Sequence, residues 1–367
     1  MYSGIVLTHF LFGIGLGIVM HRSDFCMAGA FRDLFLTGDF FRMRALILLV
    51  AVTSLLLFIG RISGLVASYP PSFYGVPSLA NLAGGLAFGV GMVLAGGCVI
   101  GTFYKMGAGN LVSAFAFSGL LFGSLLFAAF HPFHRSFAEA TQLSVGYTAV
   151  EHVTGSPIVP VIVGVPVALF FLFRGKREGK WKANAYARGY LDPWKAALVI
   201  SAIIMASFIL TGRPLSVTSG YTKIAVYLSD KIFPGYHPSP SAFNYDSVRF
   251  FYGKAVDGSR EAGVDPVALS QVPLILGVIL GSFFSCLALG EFSLPPFPPK
   301  KQALSGFAGG VFMAAGSLMA GGCNVWHIMG GLPVFAFQSM LFVAGVCLGS
   351  IAGGRLLTKA VLRVEAP

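Results

Sequence analysis

The chain's five cysteines, Cys26, Cys98, Cys286, Cys323 and Cys347, have the most chemistry to offer. No C-x-x-C pair and no Cys/His set at ligand spacing occurs among them. That excludes a zinc ribbon and argues against a secreted disulfide framework. A cysteine in an apolar run is ordinarily a small hydrophobe, and Cys286 and Cys347 read that way. Cys98 and Cys323 differ, because each closes an Ala-Gly-Gly-Cys tetrapeptide, at 95–98 and 320–323. A Gly-Gly step lets backbone approach closely and frees amides to face a cavity. Gly96, Gly97, Gly321 and Gly322 are therefore candidate binding residues together with the two thiols. Cys26 sits in His21-Arg-Ser-Asp-Phe-Cys-Met-Ala-Gly-Ala-Phe-Arg-Asp33, too charged for lipid and too aromatic for a plain loop. Such a stretch either forms an ordinary turn or folds back, bringing Cys26 to the other two thiols. Arg22 is a candidate for raising anion affinity at the entrance, or equally an anchor on the basic side of a membrane. His327 follows Cys323 by four residues, but two ligands are too few for a metal site. It reads as a wall residue or a packed histidine, with Trp326 beside it narrowing a path.

The tetrapeptides end longer copies of one text. Gly84–Gly101 reads GGLAFGVGMVLAGGCVIG and Gly309–Cys323 reads GGVFMAAGSLMAGGC. At an offset of 225, Gly84, Gly85, Gly91, Ala95, Gly96 and Gly97 meet Gly309, Gly310, Gly316, Ala320, Gly321 and Gly322. A weaker match sets Arg22-Ser-Asp-Phe-Cys-Met-Ala-Gly29 beside Arg213-Pro-Leu-Ser-Val-Thr-Ser-Gly220, with Val217 in place of Cys26. Internal repeats of this kind dictate architecture before any single element does.

The chain is 56% hydrophobic and 11% charged over 367 residues, with a mean hydropathy of +0.79. Soluble domains carry about 25% charged residues, so this is an integral membrane protein. Nine apolar runs approach spanning length: Gly4–Met20, Arg44–Val66, Asn81–Gly101, Asn110–Phe130, Pro157–Phe173, Lys195–Thr211, Gln271–Gly290, Leu304–Cys323 and Pro333–Gly353. The first lacks a basic leader and a cleavage site and reads as a retained helix. The net charge of +11 is explained by loop charge that orients the chain and also favours anions. No basic stripe interleaves with exposed aromatics, which speaks against nucleic acid.

With nine spans and the N-terminus outside, the connections 21–43, 102–109, 174–194 and 291–303 and the C-terminal tail face the cytoplasm. They hold most of the Lys and Arg, whereas 67–80 and 131–156 hold only Arg135. The basic 174–194 loop is thus expected inside the inner (plasma) membrane. Residues 1–130 form a first repeat, 131–194 a linking span and basic loop, and 195–353 a second repeat of reversed sense. In that second repeat 212–270 is an extracytoplasmic insertion, polar and turn-rich, which holds short helices, a lid or little order. The expected fold is all-α, with two inverted halves whose Gly-Gly-Cys segments meet near the midplane, where inverted repeats place their sites.

In Arg22–Asp33 with Cys26, Val93–Gly101 with Cys98, and Met319–Asn324 with Cys323, the chain resembles the YeeE/YedE membrane protein family, whose characterised members are thiosulfate transporters. The resemblance covers most of the chain outside 212–270. It implies a compact helical pore in which thiosulfate passes between three cysteines through S–H···S contacts, by motif match Cys26, Cys98 and Cys323. It also implies a small cytoplasmic sulfur-carrier partner of the TusA type, and no cofactor. The chain departs from the pattern after Cys323, where Asn-Val-Trp-His replaces the Ile-Gly-like continuation after Cys98. Some branches of the family are associated with selenium metabolism, so a selenium species is the alternative cargo.

The chemistry agrees with the likeness. Thiosulfate has a soft terminal sulfur, and neutral thiols are weak, polarizable donors suited to it in a dry constriction. Several weak sites in series let an ion enter and leave without trapping. Two other classes compete. A sulfurtransferase would form a persulfide on Cys26 or Cys98, but no evident base stands beside either. A soft-metal carrier would need clustered Met or Cys, and the 11 methionines form no such cluster.

Overall fold

Runs of Leu, Ile, Val and Phe without interior charge satisfy their backbone polar groups as helices, the open-chain solution available in lipid. The computed structural model describes residues 2–66, 74–143, 146–177, 189–233, 248–250, 254–256, 265–293 and 295–362. In chain order the helices are α1 (Tyr2–Ser23), α2 (Met27–Thr37), α3 (Phe41–Ile62), α4 (Leu79–Leu94), α5 (Val99–Gly107) and α6 (Leu111–Ala140). They continue with α7 (Val150–Thr154), α8 (Val159–Arg177), α9 (Pro193–Thr211), α10 (Thr218–Ile232), α11 (Pro266–Ala288), α12 (Lys300–Ala320) and α13 (Phe337–Leu356). A π-helical turn, Val325–Gly331, and a short 3-10 turn, Leu332–Val334, join α12 to α13. Residues 248–250 and 254–256 pair as a small antiparallel ribbon.

Among the described residues nine helical stretches are long and apolar enough to cross a membrane. They fall on the nine expected runs; the fourth continues past Phe130 to Ala140, and two others lengthen across breaks. The first reaches Ser3–Thr37 and the third Leu79–Gly107, because the breaks at 24–26 and 95–98 are brief and helix resumes at once. The helix ends are written locally. Asn110 Oδ1 accepts from Ser113 N, and Asp265 Oδ1 accepts from Ala268 N. Such caps satisfy amides that the helix leaves open.

The helices pack in pairs. α1 lies along α11, α3 along α9, α4 along α13 and α6 along α12. In each pair the two chains run in the same direction, as spans of equal parity must in an alternating chain. α4 and α12 instead run antiparallel: Gly84 meets Gly316 and Gly91 meets Gly309.

These contacts repeat. Gly345 packs on Leu82 and Gly85; 226 residues earlier Gly119 packs on Phe307 and Gly310, the partners of Leu82 and Gly85 at the 225 offset. Gly349 on Leu86 and Gly89 matches Gly123 on Val311 and Ala314 in the same way. The packing is therefore pseudo-symmetric, and the shared α4–α12 contact maps onto itself. Small residues let backbones touch, which supplies cohesion where lipid offers no hydrophobic drive between helices.

α8 stands apart. It packs on α3 and presents Ile162, Val167, Phe170 and Phe173 outward, as a linking span facing acyl chains would. Of the basic 174–194 loop, Arg174, Lys176 and Arg177 close α8, and 178–188 lie outside the described residues. Within 212–270 the structure supplies a helix, α10, whose Gly220 packs on Gln271 of α11. It is the counterpart of α2, so the start of that segment belongs to the helical core. Positions 234–247, 251–253 and 257–264 lie outside the described residues.

Candidate functional site

Three buried thiols stand at three helix starts. α1 ends at Ser23, and Asp24 takes a left-handed backbone (φ 46°), unusual for a residue other than glycine. The chain then folds back through Phe25, whose amide donates to Met20 O, and Cys26 caps α2. Gly29 N donates to Cys26 Sγ at 3.4 Å. Of the two readings of this stretch, the fold-back is the one observed.

Cys98 caps α5 after the break in the α4–α5 span. Gly96 turns that break with φ 68°, and Gly321 turns the matching one with φ 80°. Gly97 N donates to Met92 O, and Gly322 N to Ser317 O, at equivalent places. The amides of all four glycines are engaged in closing α4 and α12. Their part is to turn the chain so that the next residue caps a new helix; the freed amides expected from Gly-Gly lie within the turn instead. Cys323 ends the second turn, and its carbonyl accepts from His327 N at 2.9 Å.

A Cβ on Gly101 would stand 3.4 Å from Cys98 Sγ and 3.6 Å from Cys26 Sγ. Those two thiols thus border one small space that a glycine keeps clear. Cys98 also lies within electrostatic reach of Cys323. The two breaks are tied together: Asn81 Nδ2 donates to Ala320 O at 2.9 Å, and Asn324 Nδ2 to Met92 Sδ at 3.6 Å. Cys98 and Cys323 are fully buried and Cys26 nearly so. Cys286 packs toward Ala108 O and Cys347 sits in α13, both away from the three.

Two vestibules flank the thiols. One is lined by Asp24, Cys26, Met27, Arg42, Ala45 and Leu46. The other is lined by His9, Arg213, Ser216, Val267, Ser270, Gln271 and Trp326. Val267, Ser270 and Gln271 are the 225-offset partners of Arg42, Ala45 and Leu46, so the vestibules are themselves pseudo-equivalent. Their charges differ. Arg42 donates to Asp24 at 2.6 Å and to Asp33 at 2.5 Å, and the Tyr104 hydroxyl donates to Asp24 at 3.3 Å. Among the described residues, the lining of the second vestibule holds Arg213 and His9 but no aspartate or glutamate. The Arg213 guanidinium lies 5.6 Å from the Trp326 ring centre, a cation–π distance, and burial pushes its pKa below the usual arginine value.

Arg22, the sequence candidate, bonds elsewhere. Its Nε donates to Ser285 Oγ at 3.0 Å and its NH1 to Gly189 O at 2.9 Å. It ties α1 to α11 and to the segment before α9. Arg42 and Asp24 instead line the vestibule that holds Cys26. Arg213 was within reach of sequence reasoning as the repeat partner of Arg22. Arg42 was not, since its partners depend on the fold-back. His327 is a packed histidine: Nδ1 pairs with Ser339 Oγ at 2.9 Å, Nε2 donates to Ala320 O at 3.2 Å, and the ring stacks on Phe342. Among the described residues no group of three or more His, Cys, Asp or Glu is placed to hold a metal ion.

Comparison with known proteins bears on this arrangement. A family described as "Sulphur transport" matches residues 22–352. The thiosulfate transporter TsuA of Spirochaeta thermophila is 30% identical over 358 residues, covering 94% of this chain and 97% of its own. TsuA of Escherichia coli is 26% identical over 372 residues, covering 95% and 93%. The probable transporter YedE of Escherichia coli is 35% identical over 118 residues, covering 32% of this chain and 28% of its own.

Proposed function

The chain belongs to the sulphur-transport (YeeE/YedE) family, a family of transporters and not of enzymes, and from that premise we propose that it carries thiosulfate across the membrane by way of its buried thiols. The observation that carries the reading is the pair of sulfurs, Cys26 and Cys98, on either side of the space kept clear by Gly101.

The dianion is drawn to the vestibule lined by Arg213. It then meets Cys323, Cys98 and Cys26 in turn and leaves beside Arg42. Each thiol stands at the start of a helical segment, where the backbone dipole favours negative charge. At Cys26 the sulfur accepts from an amide, which leaves its S–H to donate to the passing anion. A neutral thiol is the useful form, since a thiolate would repel the cargo. Contacts of this strength hold without trapping.

At Arg42 the carboxylates of Asp24 and Asp33 already neutralise the guanidinium, so that vestibule suits release. The excess of Lys and Arg in 21–43 and 174–194 supports a reading with the Cys26 vestibule on the cytoplasmic side of the inner membrane, the N-terminus outside and the C-terminus inside. Transport is then inward. A small sulfur-carrier protein of the TusA type would take delivery there, an expectation resting on the family resemblance alone.

The test is uptake of labelled thiosulfate into proteoliposomes. Cys98→Ala and Cys323→Ala are each expected to abolish most of it; normal uptake by both variants overturns the reading. The distinct Asn324-Val325-Trp326-His327 continuation favours a second reading, in which a selenium anion is the cargo. Competition of thiosulfate uptake by selenite, with sulfate as control, separates the two.

A further inference from the structure

Lys105 is a cation within the third span, Leu79–Gly107. An ionisable side chain at such a place is costly and is ordinarily paired. Among the described residues Lys105 pairs with no carboxylate. Its bonded partner is a backbone carbonyl: Nζ donates to Gly96 O at 2.6 Å. Gly96 makes the left-handed turn of the first break, and a Cβ there would meet no atom within 4 Å. Gly96 and Lys105 are both half-buried, whereas Gly97 and Cys98 are buried. The turn therefore borders open space at the point where the ammonium holds it. Cys98 stands two residues further on, within electrostatic reach of that ammonium.

Closing such a turn does not require a lysine. At the 225 offset the partner of Lys105 is Gly330. The carbonyls that end α12 accept from other groups: Met319 O from His134 Nε2 at 3.0 Å, and Ala320 O from Asn81 Nδ2 at 2.9 Å. The two halves thus close equivalent turns, one with a permanent cation and one without.

We propose that Lys105 is a binding residue for the oxygen end of the anion, beside the thiol of Cys98 that meets its sulfur. An ammonium carries three N–H donors; Gly96 O takes one, and two remain. It is a compact, strongly hydrated charge, suited to sulfonate oxygens as a polarizable thiol is suited to the terminal sulfur. One place then offers each end of thiosulfate its own kind of donor. Because the ammonium is half-buried, solvent and salt still screen it, and the hold stays weak enough for release.

The identity of the anion rests on the transport reading; the role of the charge is tested apart from it. Purified full-length protein in detergent is titrated with thiosulfate, sulfate or selenite at constant ionic strength. Binding is read as the rise in unfolding midpoint that a ligand of the folded state produces. Lys105→Met, long but uncharged, is expected to need about tenfold more thiosulfate for the same rise, the scale of one hydrogen bond to a charged group. Lys105→Arg, which keeps the charge, is expected to respond near the native concentration. A role confined to closing the α4 turn predicts a lowered anion-free midpoint with native anion dependence in Lys105→Met, and that result overturns the proposal. If the methionine variant does not fold, Lys105→Gln, which keeps an amide donor, decides by the same comparison. No rise with any of the three anions in native protein overturns it too. Thiosulfate uptake by native protein is measured alongside. If uptake stands and Lys105→Met binds as native protein does, the lysine fails and the transport reading survives. If native protein responds only to sulfate or selenite and Lys105→Met loses that response, the thiosulfate reading fails and the lysine stands.

Discussion

A Cβ on Gly84 would lie 2.6 Å from the carbonyl oxygen of Gly316, and one on Gly316 would lie 2.5 Å from that of Gly84. Two residues from distant parts of the chain thus press backbone against backbone, reciprocally, at the centre of the pseudo-symmetric pair α4 and α12. The thiol-bearing turns at 95–98 and 320–323 hang from these two helices, so their spacing is set here.

Gly84→Leu therefore forces the helices apart. Overpacking of this kind costs about 1–3 kcal/mol. Thermal unfolding in detergent should show a lowered midpoint. Uptake should fall further than stability does, because Asn81, one turn before Gly84, carries the bond to Ala320 that joins the two breaks.

Arg213 lines the second vestibule. Arg213→Gln should raise the half-saturating thiosulfate concentration about tenfold, the worth of one hydrogen bond to a charged group. Arg213→Lys should recover only part of this, since the planar fork and its stacking on Trp326 are lost. Concentration-dependent uptake checks both.

Lys223 and Asp265 form an ion pair at 2.6 Å with almost no exposure on either side. It clamps α10 to the start of α11. Removing one partner leaves a buried charge and costs about 3–5 kcal/mol. Lys223→Met should therefore lower the unfolding midpoint strongly. The double variant Lys223→Met, Asp265→Asn should recover much of the loss, since asparagine retains the capping oxygen that accepts from Ala268 N.

Tyr190 lies before α9, outside the spans, and donates to Glu291 Oε2 at 2.7 Å. Burial, and then the Glu291 carboxylate, push its phenol above the usual value. The folded form therefore keeps the proton after the unfolded chain has lost it. The resulting stability is present below about pH 10, the unfolded value, and is lost as pH climbs from there toward the folded value. Tyr190→Phe should flatten the fall in unfolding midpoint above pH 10, measured in a pH series with native protein alongside.

Much of the site was legible because the chain carries its text twice. Cys98 and Cys323 stand out through the shared Ala-Gly-Gly-Cys, and Val217 opposite Cys26 shows where the halves diverge. Arg42 left no such mark. Arg42 meets Asp24 and Asp33 only because a left-handed turn at Asp24 reverses the chain, and one dihedral angle is not written in residue type. Arg22 carried the right charge at the right distance from Cys26, yet Ser285 and Gly189 claim its guanidinium from far along the chain.

By itself the sequence determined a membrane chain of nine apolar spans and a doubled motif that ends at Cys98 and Cys323. Apolar runs in lipid have one local solution, and a repeat is visible as text. Tertiary structure alone decided that Cys26 turns inward to share a gap with Cys98, that the glycine amides close helices instead of facing cargo, and that Ser285 and Gly189 hold Arg22. Each depends on which distant surface a side chain meets, and that is settled when helices pack and not before.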